Sequence, residues 1–367
     1  MTAELPVTKV LLNELHVGAF RGLRGLALER LARVNLLVGG NNSGKTSVLE
    51  ALAVLASPSD IAVWSSIASE RETRPFGLGG GLSSIDAIRW LFPCSDTGPL
   101  GMSIEGMGQG TLFGKLDAEC EAIRGFPARH RAGIAALPED EGWRISGKTL
   151  LEGRNNEFVY ELWPSLGFSR AESDRSQSRT PCVMLAPYSH RNQPVNQRRF
   201  SELTKAGTKF DVVEMLRDFD PSIIDLETLA DDFTGVAYIS VRQDRLGLIP
   251  ASVMGDGFRR ALAIALAIPA AQNGFLLIDE IETALHVSVL DKLFPWLMRT
   301  CKAYNVQLFA TTHSLEAVSS MLNSAESLSP EAVAASHLER HGAGQRATRY
   351  SLEMMKRMVR DRGLDIR

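Results

Sequence analysis

Gly39-Gly40-Asn41-Asn42-Ser43-Gly44-Lys45-Thr46 is the stretch on which the reading of this chain turns. The apolar run Val34-Asn35-Leu36-Leu37-Val38 leads into it, and Ser47-Val48-Leu49-Glu50-Ala51-Leu52-Ala53-Val54-Leu55 follows it. A strand, a glycine-rich turn and a helix in that order form the setting of a phosphate-binding loop. Each part has a physical task. Glycines let the backbone curl until successive N–H groups point at one anion, and the helix N-terminus adds a favourable dipole. In such a loop Lys45 reaches the β- and γ-phosphates and the Thr46 hydroxyl holds Mg²⁺. Gly39, Asn41, Asn42, Ser43, Gly44, Lys45, Thr46 and Ser47 are therefore the candidate nucleotide contacts, and the chain is expected to bind a nucleoside triphosphate.

The remaining composition narrows the class. A length of 367 residues allows one large domain or two to three ordinary ones, and 44% hydrophobic residues supply an ample core. With a net charge of -3, the molecule as a whole is no electrostatic magnet for nucleic acid, so any DNA contact needs a local basic patch. Cys94, Cys120, Cys182 and Cys301 lie far apart without a C-x-x-C pair, which argues against a zinc site or disulfide framework and fits a reducing cytoplasm. The first residues lack a basic segment before an apolar stretch, so no signal peptide is expected. The run Ala261 to Ala271 is too short to span a bilayer and reads as a buried helix, so no membrane partner is expected.

Along the chain, Val7 to Phe20 is strand-like, Arg21-Gly22-Leu23-Arg24-Gly25 makes a turn, and a second strand surrounds Leu26 to Leu28. Prolines and glycines then punctuate residues 57 to 100, with short strands expected at Leu100–Gly106 and within Trp143–Trp163. Residues 57–180 read as an α/β lobe inserted into the nucleotide-binding fold, with Arg170 to Arg179 as an exposed loop. Cys182 to Pro187 is the next strand. The basic segment from Ser189 to Arg199 reads either as a solvated loop or as a nucleotide-sensing or nucleic-acid-contacting one. Phe210 to Leu229 has apolar residues at helical spacing and reads mostly as helix; Val236–Val241 and Leu246–Ile249 read as a hairpin. The tail from Glu331 to Arg367 reads as a strand pair and a terminal helix.

Two late strands carry the chemistry. Phe275-Leu276-Leu277-Ile278 ends in Asp279-Glu280, and Val306-Gln307-Leu308-Phe309-Ala310 ends in Thr311-Thr312-His313-Ser314. An amphipathic helix from Val287 to Tyr304 joins them. Strands that are nearly all apolar and alternate with helices indicate a mainly parallel sheet covered on both faces. In such a sheet, polar residues just past the C-terminal strand ends converge on the ligand crevice. Asp279 placed there can hold Mg²⁺ opposite Thr46, and Glu280 can polarise the water that attacks the γ-phosphate. His313 lies 34 residues after Asp279 (313 − 279) and can donate to a γ-phosphate oxygen or orient that water.

Together GGNNSGKT, MGDGFRR, FLLIDEIETALH and FATTHS resemble the ABC-type ATPase fold, in particular the OLD-like (overcoming lysogenization defect) branch of AAA-type ATPases related to RecF and SMC proteins. The resemblance covers about 1–56 and 182–325 and hardly touches the lobe. It implies an ABC-ATPase-like P-loop α/β fold, mainly a parallel sheet with an antiparallel β part. The split core is assigned to 1–56 and 181–330, the inserted lobe to 57–180, and a C-terminal strand pair and helix to 331–367. It implies ATP and Mg²⁺ as cofactors, Lys45, Glu280 and His313 as catalytic residues, and Thr46 with Asp279 at the metal. It also implies that Gly255-Asp256-Gly257 holds the place of the signature motif that contacts the γ-phosphate of a second subunit. The family's Ser-Gly-Gly core is altered here: the serine hydroxyl is missing unless Ser252 substitutes, and Asp256 can instead cap the following helix. Arg21 matches a position where relatives place a basic residue near the nucleotide. Gln193, Gln197 and Gln109 are candidates for the glutamine loop.

The resemblance implies a Mg²⁺-dependent ATPase whose homodimer or higher homo-oligomer encloses ATP. OLD-like proteins often continue into a TOPRIM nuclease domain, and the 54 residues after His313 (367 − 313) are too few for one, so a separate effector protein is expected. The leading expectation is a cytoplasmic sensor or scaffold in antiviral defence. A DNA-repair or DNA-clamp ATPase is the alternative, and a transporter subunit is disfavoured by the altered signature and the Thr-Thr-His-Ser run.

Overall fold

A computed structural model describes residues 10–71, 84–94, 100–125, 139–164, 167–173, 179–192, 197–205, 207–325 and 332–361. The chain opens with β1 (Glu14–Phe20), β2 (Leu23–Leu28), β3 (Val34–Val38) and α1 (Lys45–Ala56). Helices α2 (Ile61–Glu70) and α3 (Ser84–Arg89) precede β4 (Leu100–Gly108), β5 (Thr111–Gly125), β6 (Asp140–Leu151), β7 (Arg154–Trp163) and β8 (Gly167–Ser173). After β9 (Cys182–Leu185) come α4 (Ser189–Asn192), α5 (Gln197–Lys205), α6 (Lys209–Arg217), β10 (Ile223–Ala230), β11 (Ala237–Gln243) and β12 (Gly247–Pro250). The remainder is α7 (Asp256–Ala270), β13 (Phe275–Ile278), α8 (Val287–Ala303), β14 (Gln307–Thr311), α9 (Leu315–Ser324), β15 (Val333–His341), β16 (Gly344–Ser351) and α10 (Leu352–Lys356).

The nucleotide-loop strand β3 lies inside a six-stranded sheet ordered β16-β15-β3-β14-β13-β9. All neighbours are parallel except the edge strand β16. Every residue of β3, β13 and β14 is buried, which is why these strands read as nearly unbroken apolar runs. Their side chains divide between two cores, as the period of two requires. Phe275, Leu277 and Phe309 join α1 and the antiparallel strands on one face. Leu276, Ile278, Leu308 and Ala310 join α7, α8 and α9 on the other. Helix α1 is buried along almost its whole length and touches β9, β13 and β14 as well as β1, β4 and β5. The mixed α/β architecture with an antiparallel part is thus as expected. Among the described residues no helix is long and apolar enough to cross a membrane.

Several local expectations need correction. Residues 57–180 do not form a lobe apart from the core sheets: β4 pairs with β1, so β2-β1-β4-β5-β6-β7-β8 is one continuous antiparallel sheet. The open edge of the β1–β2 hairpin requires partners for its N–H and C=O groups, and β4 supplies them. The strands expected within Trp143–Trp163 are the long hairpin β6–β7, turned at Glu152 and Gly153, both at positive φ (50° and 77°) as a two-residue primed turn demands. Arg170 to Ser173 close β8 and are not loop, and residues 174–178 lie outside the described residues. The stretch Phe210 to Leu229 is helical only to Arg217, and β10 occupies its second half. Pro221 disfavours helix at Asp220, whose carboxylate accepts from the Ser222 N–H (2.9 Å) and hydroxyl (2.7 Å). Beyond that turn Ile223 and Leu226 point inward from a strand. Likewise β15, in the C-terminal segment 331–367, is an internal strand of the core sheet.

Candidate nucleotide-binding site

The loop between β3 and α1 holds three residues at positive φ: Gly39 (137°), Asn42 (62°) and Gly44 (99°). A side chain is excluded at Gly39, where a Cβ would stand 2.3 Å from the Leu338 carbonyl oxygen. At Gly44 it would stand 2.5 Å from Leu23 Cδ2. The α1 N-terminus has no capping side chain, so its first N–H groups face the loop concavity as an anion seat. Lys45, only 6% exposed, folds back over the loop and donates to the Gly39 (2.8 Å) and Gly40 (2.9 Å) carbonyls. Burial lowers its pKa, against the opposing pull of Asp279, Glu280 and Glu282. A buried ammonium held above an anion seat gains most from a phosphate that replaces those carbonyls.

Asp279 meets this loop from the end of β13. The Thr46 hydroxyl donates to both its carboxylate oxygens (3.0 and 3.2 Å), and the Thr311 hydroxyl donates to Oδ1 at 2.6 Å. Thr311 Oγ1 also accepts the Glu280 N–H at 2.8 Å, so one hydroxyl sets both carboxylate-bearing residues. Glu280 has a left-handed backbone (φ 46°), and its Oε2 accepts from the Thr283 hydroxyl at 3.0 Å. Glu282 accepts the His313 N–H at 2.8 Å, tying the β13 and β14 ends together. A cleft of ≈ 320 Å³ is lined by residues 41–47 with Arg71, Asp279, Glu280, Thr311 and His313. A larger groove of ≈ 580 Å³ among α6, α7 and α8 shares no residue with it and lacks its phosphate seat.

The oxygen donors at Thr46 and Asp279 suit Mg²⁺, a hard cation that takes one or two protein oxygens and completes its shell from phosphates and water. Among the described residues no group of three or more His, Cys, Asp or Glu forms a self-sufficient metal cage. Thr46 and Asp279 are thus the residues that would hold the ion, together with the nucleotide.

Not every candidate reaches the cleft. Arg21 points at Glu50 of α1, with Nε 2.7 Å from Oε2, and does not line the cavity. Glu50 is 1% exposed and shared with Arg71, which also donates to Ser47 Oγ at 3.1 Å. Burial raises the Glu50 pKa, against the pull of Arg21 and Arg71. Arg71 therefore stands where Arg21 was expected, and Arg21 acts on the cleft only through Glu50. The Gly255-Asp256-Gly257 turn also lies off the cleft of its own chain. Gly255 occupies the N-cap, so Asp256 is not the cap; its carboxylate is ion-paired with Arg191 and Arg259. Ser252 and Gly255 are exposed. His286 caps α8, its Nδ1 accepting from the Ser288 N–H. Gln109 sits in the β4–β5 turn; Gln193, and the side chain of Gln197, lie outside what is described.

Thr311, Thr283, Arg71 and Arg260 were not singled out from the sequence. Thr311 lay in plain view beside His313 at a strand end. Arg71 falls in a charged stretch without a motif, 26 residues after Lys45 (71 − 45), and only the packing of α2 on α1 brings it in.

The comparisons agree with this geometry. Residues 34–105 and 117–319 match the family model described as "AAA domain, putative AbiEii toxin, Type IV TA system". The uncharacterised protein MJECL11 of Methanocaldococcus jannaschii is 37% identical over 116 residues, which are 31% of this chain and 99% of that protein. Its companion MJECL10 is 45% identical over 47 residues, 13% of this chain and 22% of that one. Among solved structures, an SmcHead bound to the C-winged helix domain of ScpA superposes with a TM-score of 0.50 at 14% identity, covering 93% of this chain and 98% of that one. A Pyrococcus furiosus Smc head with an extended coiled coil, bound to the C-terminal domain of ScpA, gives 0.45 at 10% identity over 96% and 99%. The chain belongs to this AAA-domain family and is an ATPase of AAA type on an SMC-head-like fold.

Proposed function

We propose that the chain hydrolyses ATP in the cleft of its loop, in a dimer whose two copies enclose two nucleotides. The observation that carries this reading is the meeting of Thr46, Asp279 and Thr311 within hydrogen-bond distance beside the loop, with Glu280 held by the same hydroxyl. Lys45 leaves its carbonyl partners for the β- and γ-phosphates, and the N–H groups of residues 41–47 hold the chain of phosphates. Thr46 and Asp279 hold Mg²⁺, which when bound neutralises charge on the β- and γ-oxygens. Glu280 accepts a proton from water as the water oxygen bonds the γ-phosphorus and the bond to the bridging oxygen of ADP breaks. His313 donates to a γ-phosphate oxygen.

The γ-phosphate side of such a cleft is completed by the exposed start of α7 from a second copy, through Ser252, Gly255 and Gly257. Asp256 adds little repulsion there, because Arg191 and Arg259 hold its charge. In this reading the chain is an OLD-like cytoplasmic switch whose ATP cycle times an assembly with a separate effector. The family's description as a toxin of a type IV toxin–antitoxin system is compatible with defence against phage.

Glu280→Gln tests the site. It should slow turnover by about 10²-fold or more, the worth of a positioned base, and accumulate an ATP-dependent dimer in size-exclusion chromatography. Wild-type turnover in that variant, or unchanged ATPase activity in Lys45→Ala, would sink the assignment. Turnover stimulated by duplex DNA with a steep salt dependence would favour a clamp over a defence switch.

A further inference from the structure

Arg260, at the start of the second turn of α7, is wholly withdrawn from solvent. Its guanidinium is spent on main-chain oxygens: Nη1 donates to Ala186 (2.6 Å), and Nη2 to Asp279 (2.8 Å) and Glu280 (3.3 Å). These carbonyls are where β9 and β13 stop and the cleft begins. Burial pulls the guanidinium pKa down to about 10, with the charges of Asp279, Glu280 and Glu282 drawing it back up. A methionine or leucine would fill the same space without the cost of burying a cation, so packing alone does not account for an arginine. The peptide units it grips are the two that flank Glu280, whose left-handed backbone is disfavoured for any residue with a Cβ. The helix start that carries Arg260 is itself fixed: Arg259 donates to the His190 carbonyl (2.8 Å), and Gly257 lies so near the 280–286 turn that a Cβ would meet Ala284 O at 2.9 Å.

We propose that Arg260 is the positioning residue of Glu280, holding the carbonyls on both sides of it so that the carboxylate stays over the cleft. This rests on the reading of Glu280 as the base. Arg260 touches neither nucleotide nor water and acts only through the backbone it pins.

The test is a double-mutant cycle in the full chain. Arg260→Met keeps the volume, Arg260→Lys keeps a donor for the carbonyls, and each is combined with Glu280→Gln. Fluorescent ATP titration and urea denaturation are run beside steady-state kinetics. Arg260→Met should bind nucleotide within about twofold of wild type and keep KM, while kcat falls about 10²-fold, the scale of a base misplaced by an ångström. Arg260→Lys should regain part of that loss. Arg260→Met in the Glu280→Gln background should cost about twofold or less, because the group it positions is already gone. A folded Arg260→Met with wild-type kcat, a raised KM at constant kcat, or a double variant whose losses multiply would overturn the proposal. If Arg260→Met does not fold, the same cycle on Arg260→Lys decides by the same criteria. A Glu280→Gln variant as fast as wild type sinks the base assignment itself, whereas a slow Glu280→Gln with multiplying losses sinks only the role of Arg260.

Discussion

Thr311→Val removes one hydroxyl and keeps the shape of a fully buried β-strand residue, so its effect is that of two hydrogen bonds. The first is the 2.6 Å bond to Asp279 Oδ1; a bond to a charged acceptor contributes about 1.5–3 kcal/mol. The second is the bond accepted from the Glu280 N–H. Its loss strands a half-buried donor at about 1 kcal/mol, the low end of the desolvation range. Asp279 keeps Thr46 as a partner, so the lower figure applies to the first bond as well. Together the loss is about 2–3 kcal/mol. Most of it should appear in urea denaturation of the nucleotide-free protein, because both bonds exist without ligand. A further fall in kcat of about tenfold, equal to about 1.4 kcal/mol, is expected from the loosened Glu280 peptide. Thr311→Ser should restore both. A Thr311→Val protein within about 0.5 kcal/mol of wild type, the range of a neutral surface change, and with unchanged kcat would refute the view that this hydroxyl organises the site.

Two other outcomes follow from particular contacts. Gly39→Ala places a Cβ 2.3 Å from the Leu338 carbonyl at a φ of 137°; the loop or β15 must shift, so ATP affinity in a fluorescence titration should drop by about tenfold or more, the scale of a lost 1.4 kcal/mol. Glu70 has its pKa raised to about 7 from 4.5, first by burial and then by the charges of Glu50 and Asp279. An acid that binds its proton more tightly when folded favours the fold at low pH, and that contribution is lost as pH rises from about 4.5 to about 7. Melting temperatures of Glu70→Gln should therefore decline less across this window than those of wild type; parallel curves would count against it.

The legible parts of this chain are those where buried backbone forces a simple pattern. β3, β13 and β14 lie between two layers, so their sequences are apolar until the strand ends, and the polar residues that follow mark the ligand side. The segment Phe210–Leu229 misled because apolar spacing compatible with a helix also fits a helix of nine residues followed by a strand, and only the Asp220-Pro221 turn separates them. The antiparallel sheet was opaque for another reason. Its order depends on β1 receiving β4, some 80 residues further on, and no local signal states a pairing over that distance. Arg260 and Arg71 were silent because their partners are carbonyl oxygens and a carboxylate brought from elsewhere, which leaves no spacing to read.

The neighbours of β3 set the order in which the site can come into being. β3 is complete at residue 38, yet β14 and β15, which flank it, end at residues 311 and 341. On the ribosome, at about 5–20 residues per second, roughly 15–60 s separate synthesis of Gly39 from that of Leu338, whose carbonyl closes over it. Through that interval the loop has its sequence but not its walls. The Asp279 and Thr311 partners arrive within the same late window, so the cleft assembles in one step near the end of translation. A growing chain thus stays inert towards nucleotide until nearly all of the described fold has been made.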